Sequence, residues 1–335
     1  MVAWQQYEFT GDISLLRDYY DGMAWYVQYL GSRAQDYIVS YGLSDWYDIA
    51  PGAPGKSKLT PKGVTGTAFY YQNTLVLANA ATLLNRTEDA VKYQQQANQI
   101  RAAFNAKYFD AATNQYATGS QCANSMAMVM GIVEDVNRPA VLKNIVADIQ
   151  EKGLTAGDVG CRYLLRALAE GNRSDVIFSM TNQSDKPGYG YQLAKGATSL
   201  TEAWDADKWS SQNHFMLGQI NEWFFHDLAG IQCHPEGQGF KKSIIKPAIV
   251  GDLTWVKASY NSVSGKIISE WKRTGNEISL MVSVPCNTTS TVFVPTTSPN
   301  SVIASRMEGV KFLKVEGGYA IYELESGNIT FTSQM

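Results

Sequence analysis

Histidine and cysteine are scarce in this chain, with three His and four Cys among 335 residues. Cys122, Cys161, Cys233 and Cys286 lie far apart with no CxxC spacing, and His214, His226 and His234 are scattered. That pattern fits neither a zinc site nor a disulfide framework, so no metal and no other cofactor is expected. An excess of one charge is missing too: Lys+Arg 28 against Asp+Glu 31 leaves a formal net charge of −3. Without a basic block to follow a phosphate backbone, nucleic acid is excluded as a partner. No apolar run approaches the roughly 18 residues that cross a bilayer, and the N-terminus has no basic stretch followed by an apolar one. A membrane partner is therefore not expected. The compartment stays open, an extracytoplasmic one being slightly favoured.

A length of 335 residues suggests two units at about 150 residues per domain. Two periodicities divide the chain. Up to about Leu228, apolar residues recur at three- and four-residue steps, as Ala90, Tyr93, Ala97, Ile100 and Phe104 do in TEDAVKYQQQANQIRAAF. Thr87 is the expected N-cap of that helix, with Glu88 and Asp89 in the first turn where the helix dipole favours negative charge. Similar stretches near 13–31, 68–84, 122–133, 138–151, 158–170 and 210–228 predict an array of helical hairpins. Beyond KPAIVGD the period becomes two: TWVKASYNS, KIISEWKRT, EISLMVSVP and TSTVFVP alternate and are rich in Val, Ile, Thr and aromatics. The reading is a helical unit over 1–240 and an antiparallel β-sandwich over 241–335, its strands starting at about Ile244.

Two connections are too long and too particular to be simple turns. YGLSDWYDIAPGAPGKSKLTPKGVTGT (41–67) carries Asp45, Trp46, Tyr47 and Asp48 ahead of a Pro/Gly-rich stretch. SMTNQSDKPGYGYQLAKGATSLTEAWD (179–205) brings together Tyr189, Tyr191, Glu202, Trp204 and Asp205. Aromatics interleaved with carboxylates suit a sugar site, since flat rings cover the C–H face of a pyranose while carboxylates accept hydrogen bonds from hydroxyls. A carbohydrate is the expected partner.

At PGYGYQLAKGATSLTEAWD the chain resembles the inverting α-L-rhamnosidases, whose helical domain carries a Gly-Ala-Thr-Thr-x-x-Glu-x-Trp-Asp-like signature. The likeness runs on through SQNHFMLGQINEWFFHDLAGI, and upstream through WQQYEFTGDISLLRDYYDGMAWYVQYL and YGLSDW, covering roughly 1–260. It implies an (α/α)6-barrel-type helical toroid followed by a C-terminal antiparallel β-sandwich. It also implies hydrolysis of terminal α-L-rhamnosides with inversion. Glu202 takes the place of the general base, Trp204 and His214 fall where the family lines the rhamnose pocket, and Asp45 with Trp46 falls at its Gly-Asp-Trp loop. Tyr189 joins this substrate-binding group, and Asp205 is expected to orient or hydrogen-bond. Ser44 stands where the family usually has glycine and Thr201 where tryptophan is frequent.

A larger departure concerns the acid. The family carries its proton donor in an Asp-Cys-Pro-Gln-Arg-x-Glu-Arg-like segment ahead of the position of Trp4, and no such segment occurs in this chain. The resemblance therefore implies the C-terminal piece of a longer enzyme, an incomplete toroid, and a chain that is hydrolytically silent alone. Two alternatives remain: a non-catalytic sugar-binding module, and another (α/α)6 inverting glycosidase or a lyase. The acidic 198–207 stretch would repel a lyase's uronate.

Overall fold

The computed structural model describes residues 1–298 and 300–335. The chain forms two compact units, one made of Met1–Leu16 with Asn221–Met335 and the other of Arg17–Ile220. The boundary read from the sequence, 240/241, lies inside the first of these. The reason is local: α1 (Val2–Thr10) and the segment after Ile220 both join the β-rich unit.

Arg17–Ile220 is the helical-hairpin array. After the short α2 (Ser14–Asp18) come α3 (Tyr20–Arg33), α4 (Lys62–Leu83), α5 (Thr87–Tyr108), α6 (Gln121–Val129), α7 (Arg138–Lys152), α8 (Gly160–Glu170), α9 (Ser174–Thr181) and α10 (Tyr189–Ala194). Helices α4, α6 and α8 pack side by side, and α5, α7 and α9 back onto them as the outer members of three hairpins. Sequence follows position. In α6 every residue from Gln121 to Met128 is buried, whereas α5 buries only Tyr93, Ala97, Ile100 and Phe104, one stripe at helical spacing. Because each hairpin returns the chain, the segments entering α4, α6 and α8 all arrive at one end of the array. Hydrogen bonds tie those entries together: Thr60 Oγ1 lies 2.8 Å from Ser120 Oγ, and Thr155 N donates to Gln121 Oε1 at 2.8 Å.

Three local expectations need correction. Helix α4 begins at Lys62, not 68, so the long connection ends at Pro61. Its KGVTGT start is glycine-rich because neighbours come close there: a Cβ on Gly66 would sit 2.5 Å from the Val39 carbonyl oxygen. Thr87 is the first helical residue, with Arg86 at the cap position making no side-chain bond to the helix N-terminus. The 210–228 stretch is not one helix but a 3-10 turn (Phe215–Gln219), four α residues (Ile220–Trp223) and a π segment (Phe224–Leu228). Among the described residues, no helix is long and apolar enough to cross a membrane.

A two-residue hairpin, β1 (Phe109–Asp110) with β2 (Gln115–Tyr116), sits in the entry to α6. The β-rich unit holds β3 (Ile231–Cys233), β4 (Lys242–Ile245), β5 (Trp255–Ser262), β6 (Gly265–Thr274), β7 (Glu277–Val284), β8 (Thr289–Pro295), β9 (Ile303–Ala304), β10 (Val310–Glu316), β11 (Tyr319–Leu324) and β12 (Gly327–Gln334). They form two five-stranded sheets, β10-β11-β8-β4-β3 and β5-β6-β7-β12-β9. The period-two pattern is visible in β7, where Ile278, Leu280, Val282 and Val284 point into the core. Pairing is antiparallel except where β4 lies parallel to β8. In the same unit Phe9 of α1 packs against Phe240 and Tyr260, with ring centroids 5.8 and 6.2 Å away.

Candidate active site

The common end of the hairpins is built on a crossing of two loops. Asp45, only 1% exposed, accepts hydrogen bonds from Gly157 N at 2.9 Å and Gly160 N at 2.6 Å, the latter opening α8. In return Asp158 N donates to the Trp46 carbonyl at 2.7 Å, and Ile49 N donates to that of Thr155 at 3.0 Å. The strands of chain lie so close that a Cβ on Gly157 would be 2.1 Å from the Trp46 carbonyl oxygen. Asp48 closes the return of the same loop, accepting from Ser57 Oγ, Lys58 N and Leu59 N at 2.7–2.9 Å. A carboxylate at the start of a helix is favoured by its dipole and free N–H groups. Burial nonetheless dominates at Asp45, pushing its carboxyl up to about 6 against the pull of the two backbone bonds.

Glu202 stands on a second pairing of chain. Its N–H donates to the Ser211 carbonyl at 2.9 Å, Ser211 N donates back to Glu202 Oε2 at 3.2 Å, and His214 N donates to the Leu200 carbonyl at 2.8 Å. The side chain is half-buried. Trp204 anchors this segment: it is 1% exposed, its ring N–H donates to the Ala156 carbonyl at 2.8 Å, and Tyr189 meets it edge-on at 5.0 Å. Tyr189 is held in turn by its hydroxyl, which donates to the Leu217 carbonyl at 2.5 Å. The two loop systems meet where Tyr47 Oη lies 3.2 Å from Ser210 Oγ, next to the residue that binds the Glu202 carboxylate.

The structure thus gathers the residues read from the sequence, but in different states. Trp46, Glu202 and His214 are half-buried, His214 stacking on Phe215 at 6.0 Å, whereas Asp205 is exposed and accepts from Asp207 N. Asp45 and Trp204 present almost no surface. Asp45 holds backbone, and Trp204 is packed between the Ala156 carbonyl and Tyr189, so both fix the position of these loops. Sequence reading passed over Gly157, Ser211 and Gln219, whose Nε2 donates to the Asp158 carbonyl at 2.7 Å; their contacts depend on which loops meet. It also missed Trp209 and Phe215, 88% and 83% exposed on the Glu202 loop. Large aromatics in a Ser/Asn-rich turn were the available signal.

Compared with known proteins, residues 1–228 match the bacterial α-L-rhamnosidase six-hairpin glycosidase domain, and residues 230–307 match the bacterial α-L-rhamnosidase C-terminal domain. The chain belongs to this family. An α-L-rhamnosidase of Streptomyces avermitilis is 29% identical over 343 residues, covering 99% of this chain and 32% of its own length. One from Alteromonas sp. (strain LOR) is 27% identical over 333 residues, covering 95% and 36%. The crystal structure of the Streptomyces enzyme complexed with L-rhamnose superposes with a TM-score of 0.90 at 28% identity, over 99% of this chain and 32% of that one. The α-L-rhamnosidase of Dictyoglumus thermophilum gives 0.90 at 30% identity, over 99% and 38%. The chain spans about a third of the length of the curated relatives it matches. Within the family the helical array is its six-hairpin glycosidase domain, and the two sheets are its β-rich C-terminal domain.

Proposed function

We propose that the chain is the base-bearing part of a glycoside hydrolase that removes terminal α-L-rhamnose from glycosides or polysaccharides with inversion. The observation that carries this reading is Glu202: a half-buried carboxylate, fixed by Ser211 N, where the 41–48, 153–160 and 200–214 loops of an α-L-rhamnosidase fold converge. In the reaction Glu202 takes a proton from a water whose oxygen attacks the anomeric carbon on the face opposite the leaving group. An acid roughly 6.5–9.5 Å across the sugar protonates the departing oxygen. The acid belongs outside these residues. Of the other carboxyls at the convergence, Asp45 and Asp158 are 1% and 4% exposed, too deep to reach a leaving oxygen. The wall of the pocket that meets the sugar would include Trp46 and His214, with Tyr189, Trp204 and Asp45 keeping the loops in place and Asp205 at the rim. The chemistry is assigned to the 1–240 portion, and stability to 241–335.

The test compares release of an aryl alcohol from an aryl α-L-rhamnoside by this chain, by the full-length parent and by the parent carrying Glu202→Gln. Expected are silence of the chain alone, an active parent, and a loss of about 10²–10⁴-fold in kcat with rhamnose binding retained in the variant. Turnover by the chain near the parent's rate would place the acid within these residues. Full activity of the variant would remove Glu202 as the base.

A further inference from the structure

Beside the last turn of α5, at the end of the array from which α6 is entered, lies a cavity of about 430 Å³ that no step above uses. It falls within the roughly 300–1,000 Å³ of small-ligand sites. One wall is helix: Ala103, Ala106 and Lys107 stand at i, i+3 and i+4 and share a face of α5. The other wall is the chain that follows α3, which brings Gln35, Asp36, Ile38 and Ser40. None of these residues belongs to the 41–48, 153–160 and 200–214 loops around Glu202. The second wall is held in a costly turn. Gln35 N donates to the Ile38 carbonyl at 3.0 Å and Ile38 N to that of Gln35 at 2.9 Å, which makes Asp36 and Tyr37 the two central residues of a tight reversal. Their φ angles are 50° and 65°, the sign pattern of a type I′ turn, which Asn-Gly ordinarily supplies and a tyrosine adopts only under strain. Strain of this kind gathers at binding and catalytic sites, where the position it gives a side chain is used.

The turn places a carboxylate in the same cavity as an ammonium, and the two do not close on each other. Among the described residues, Asp36 and Lys107 form no ion pair with one another or with any other side chain, and the Lys107 ammonium lies 5.7 Å from the Tyr108 ring centroid. Asp36 only accepts hydrogen bonds and Lys107 only donates them, while the Gln35 amide and the Ser40 hydroxyl do both. Such a lining suits a molecule whose groups donate and accept at once, as hydroxyls do. One charge of each sign leaves the lining neutral, which favours a neutral ligand over an anion or a cation. Ile38, Ala103 and Ala106 add an apolar surface of small extent, fit for the C–H groups of a ring. We infer that this cavity is a second sugar site, one that binds a single neutral pyranose: its hydroxyls donate to Asp36 and accept from Lys107, and its C–H groups lie on the two alanines. The choice of sugar as the ligand rests on the reading that the chain acts on carbohydrate. The site takes no part in breaking a bond. It gives a glycan chain a second point of attachment that a small rhamnoside cannot use.

Amide 15N–1H shifts of this chain, titrated with L-rhamnose and D-glucose and, for comparison, with glycine and acetate, test the site. Expected are saturable shifts at 35–40 and 103–107 with one or both sugars, at a Kd on the order of 1–10 mM. Asp36→Asn and Lys107→Met should each weaken this binding about tenfold, the effect of losing one charge-assisted hydrogen bond. Asparagine tolerates a positive φ as aspartate does, so the first variant keeps the turn. Ala106→Phe fills the cavity and should abolish binding. Absence of saturable shifts at those residues with either sugar overturns the proposal. So does binding that survives Ala106→Phe, that is unchanged in both charge variants, or that prefers glycine or acetate to the sugars. Should Ala106→Phe fail to fold, the two charge variants decide. Shifts at 200–214 report the Glu202 pocket separately. Full activity of the parent carrying Glu202→Gln removes the base and leaves the second site standing, whereas silence at 35–40 and 103–107 removes the second site alone.

Discussion

Asp45 and Glu202 are both carboxylates on loops at the same end of the hairpin array, and they are treated in opposite ways. Asp45 is 1% exposed with an oxygen on each of two backbone N–H groups, while Glu202 is half-buried with a single backbone bond to Oε2. The first ties one loop to another, and exchanging it disturbs the scaffold. The second is left partly open to solvent and, as the proposed base, its exchange is expected to disturb chemistry before structure. An acid near a site is therefore no guide to its job until its hydrogen bonds are counted.

The largest effect should come from wedging the Asp45 crossing apart. Gly157→Ala places a Cβ 2.1 Å from the Trp46 carbonyl oxygen, where the obstacle is backbone and cannot swing aside. Loss of at least about 3 kcal/mol, or failure to fold, is expected in a denaturant titration. An alanine variant as stable as wild type would mean that the two loops are not locked together.

A smaller effect comes from pH. Asp45 and Asp158 are pushed up to about 6 and about 7 from an unfolded value of 3.8. Between 3.8 and those values the folded state binds protons that the unfolded state has released, so stability falls as pH rises. The contribution is complete below about pH 4, declines through 6 to 7 and is flat above, at about 1.4 kcal/mol for each unit of raised pKa. Thermal unfolding of the chain should show Tm falling from about pH 5 to about pH 8, with part of the slope removed by Asp158→Asn. A Tm that rises over that interval contradicts the burial of both groups in their neutral form.

Smallest of all should be the effect of Glu202→Gln on stability. The amide oxygen can still accept from Ser211 N, and no buried charge is created or orphaned, so a change within about 0.5 kcal/mol is expected by denaturant titration. A loss of several kcal/mol would place Glu202 with Asp45 among the scaffold residues and erase the contrast between them.

Much of this was legible in the sequence, and the misses have physical causes. The stripe of Tyr93, Ala97, Ile100 and Phe104 in α5 and the alternation in β7 were read directly, because each element buries one face and exposes the other. Helix α6 is buried on all sides and shows no such contrast, yet the stretch near 122–133 was still read as helical; the cap on its start, Ser120, whose hydroxyl accepts from Ala123 N, was not. The start of α4 was read as loop because its glycines look like breakers, when Gly63 makes room for the Tyr108 side chain and Gly66 for the Val39 backbone. Strands β3 and β4 were overlooked because Ile231–Cys233 and Lys242–Ile245 are too short to show a period, and because β4 gains its place by pairing with β8, far along the chain. The Glu202 signature stood out as a contiguous motif. Asp158 and Gln219 did not, since their meeting depends on a fold that joins positions many residues apart.

Helix α1 and its neighbours up to Leu16 fold with Asn221–Met335, leaving Arg17–Ile220 to be synthesised in between. On a ribosome adding about 5–20 residues each second, α1 waits roughly 10–40 s before the first of its partners is made. Throughout that interval Phe9 has no Phe240 or Tyr260 to cover it. The helical array can close first as a self-contained insert, and the β-rich unit must then recapture a segment that left the exit tunnel long before, which makes α1 the natural point of attention for a chaperone and the last element to be secured.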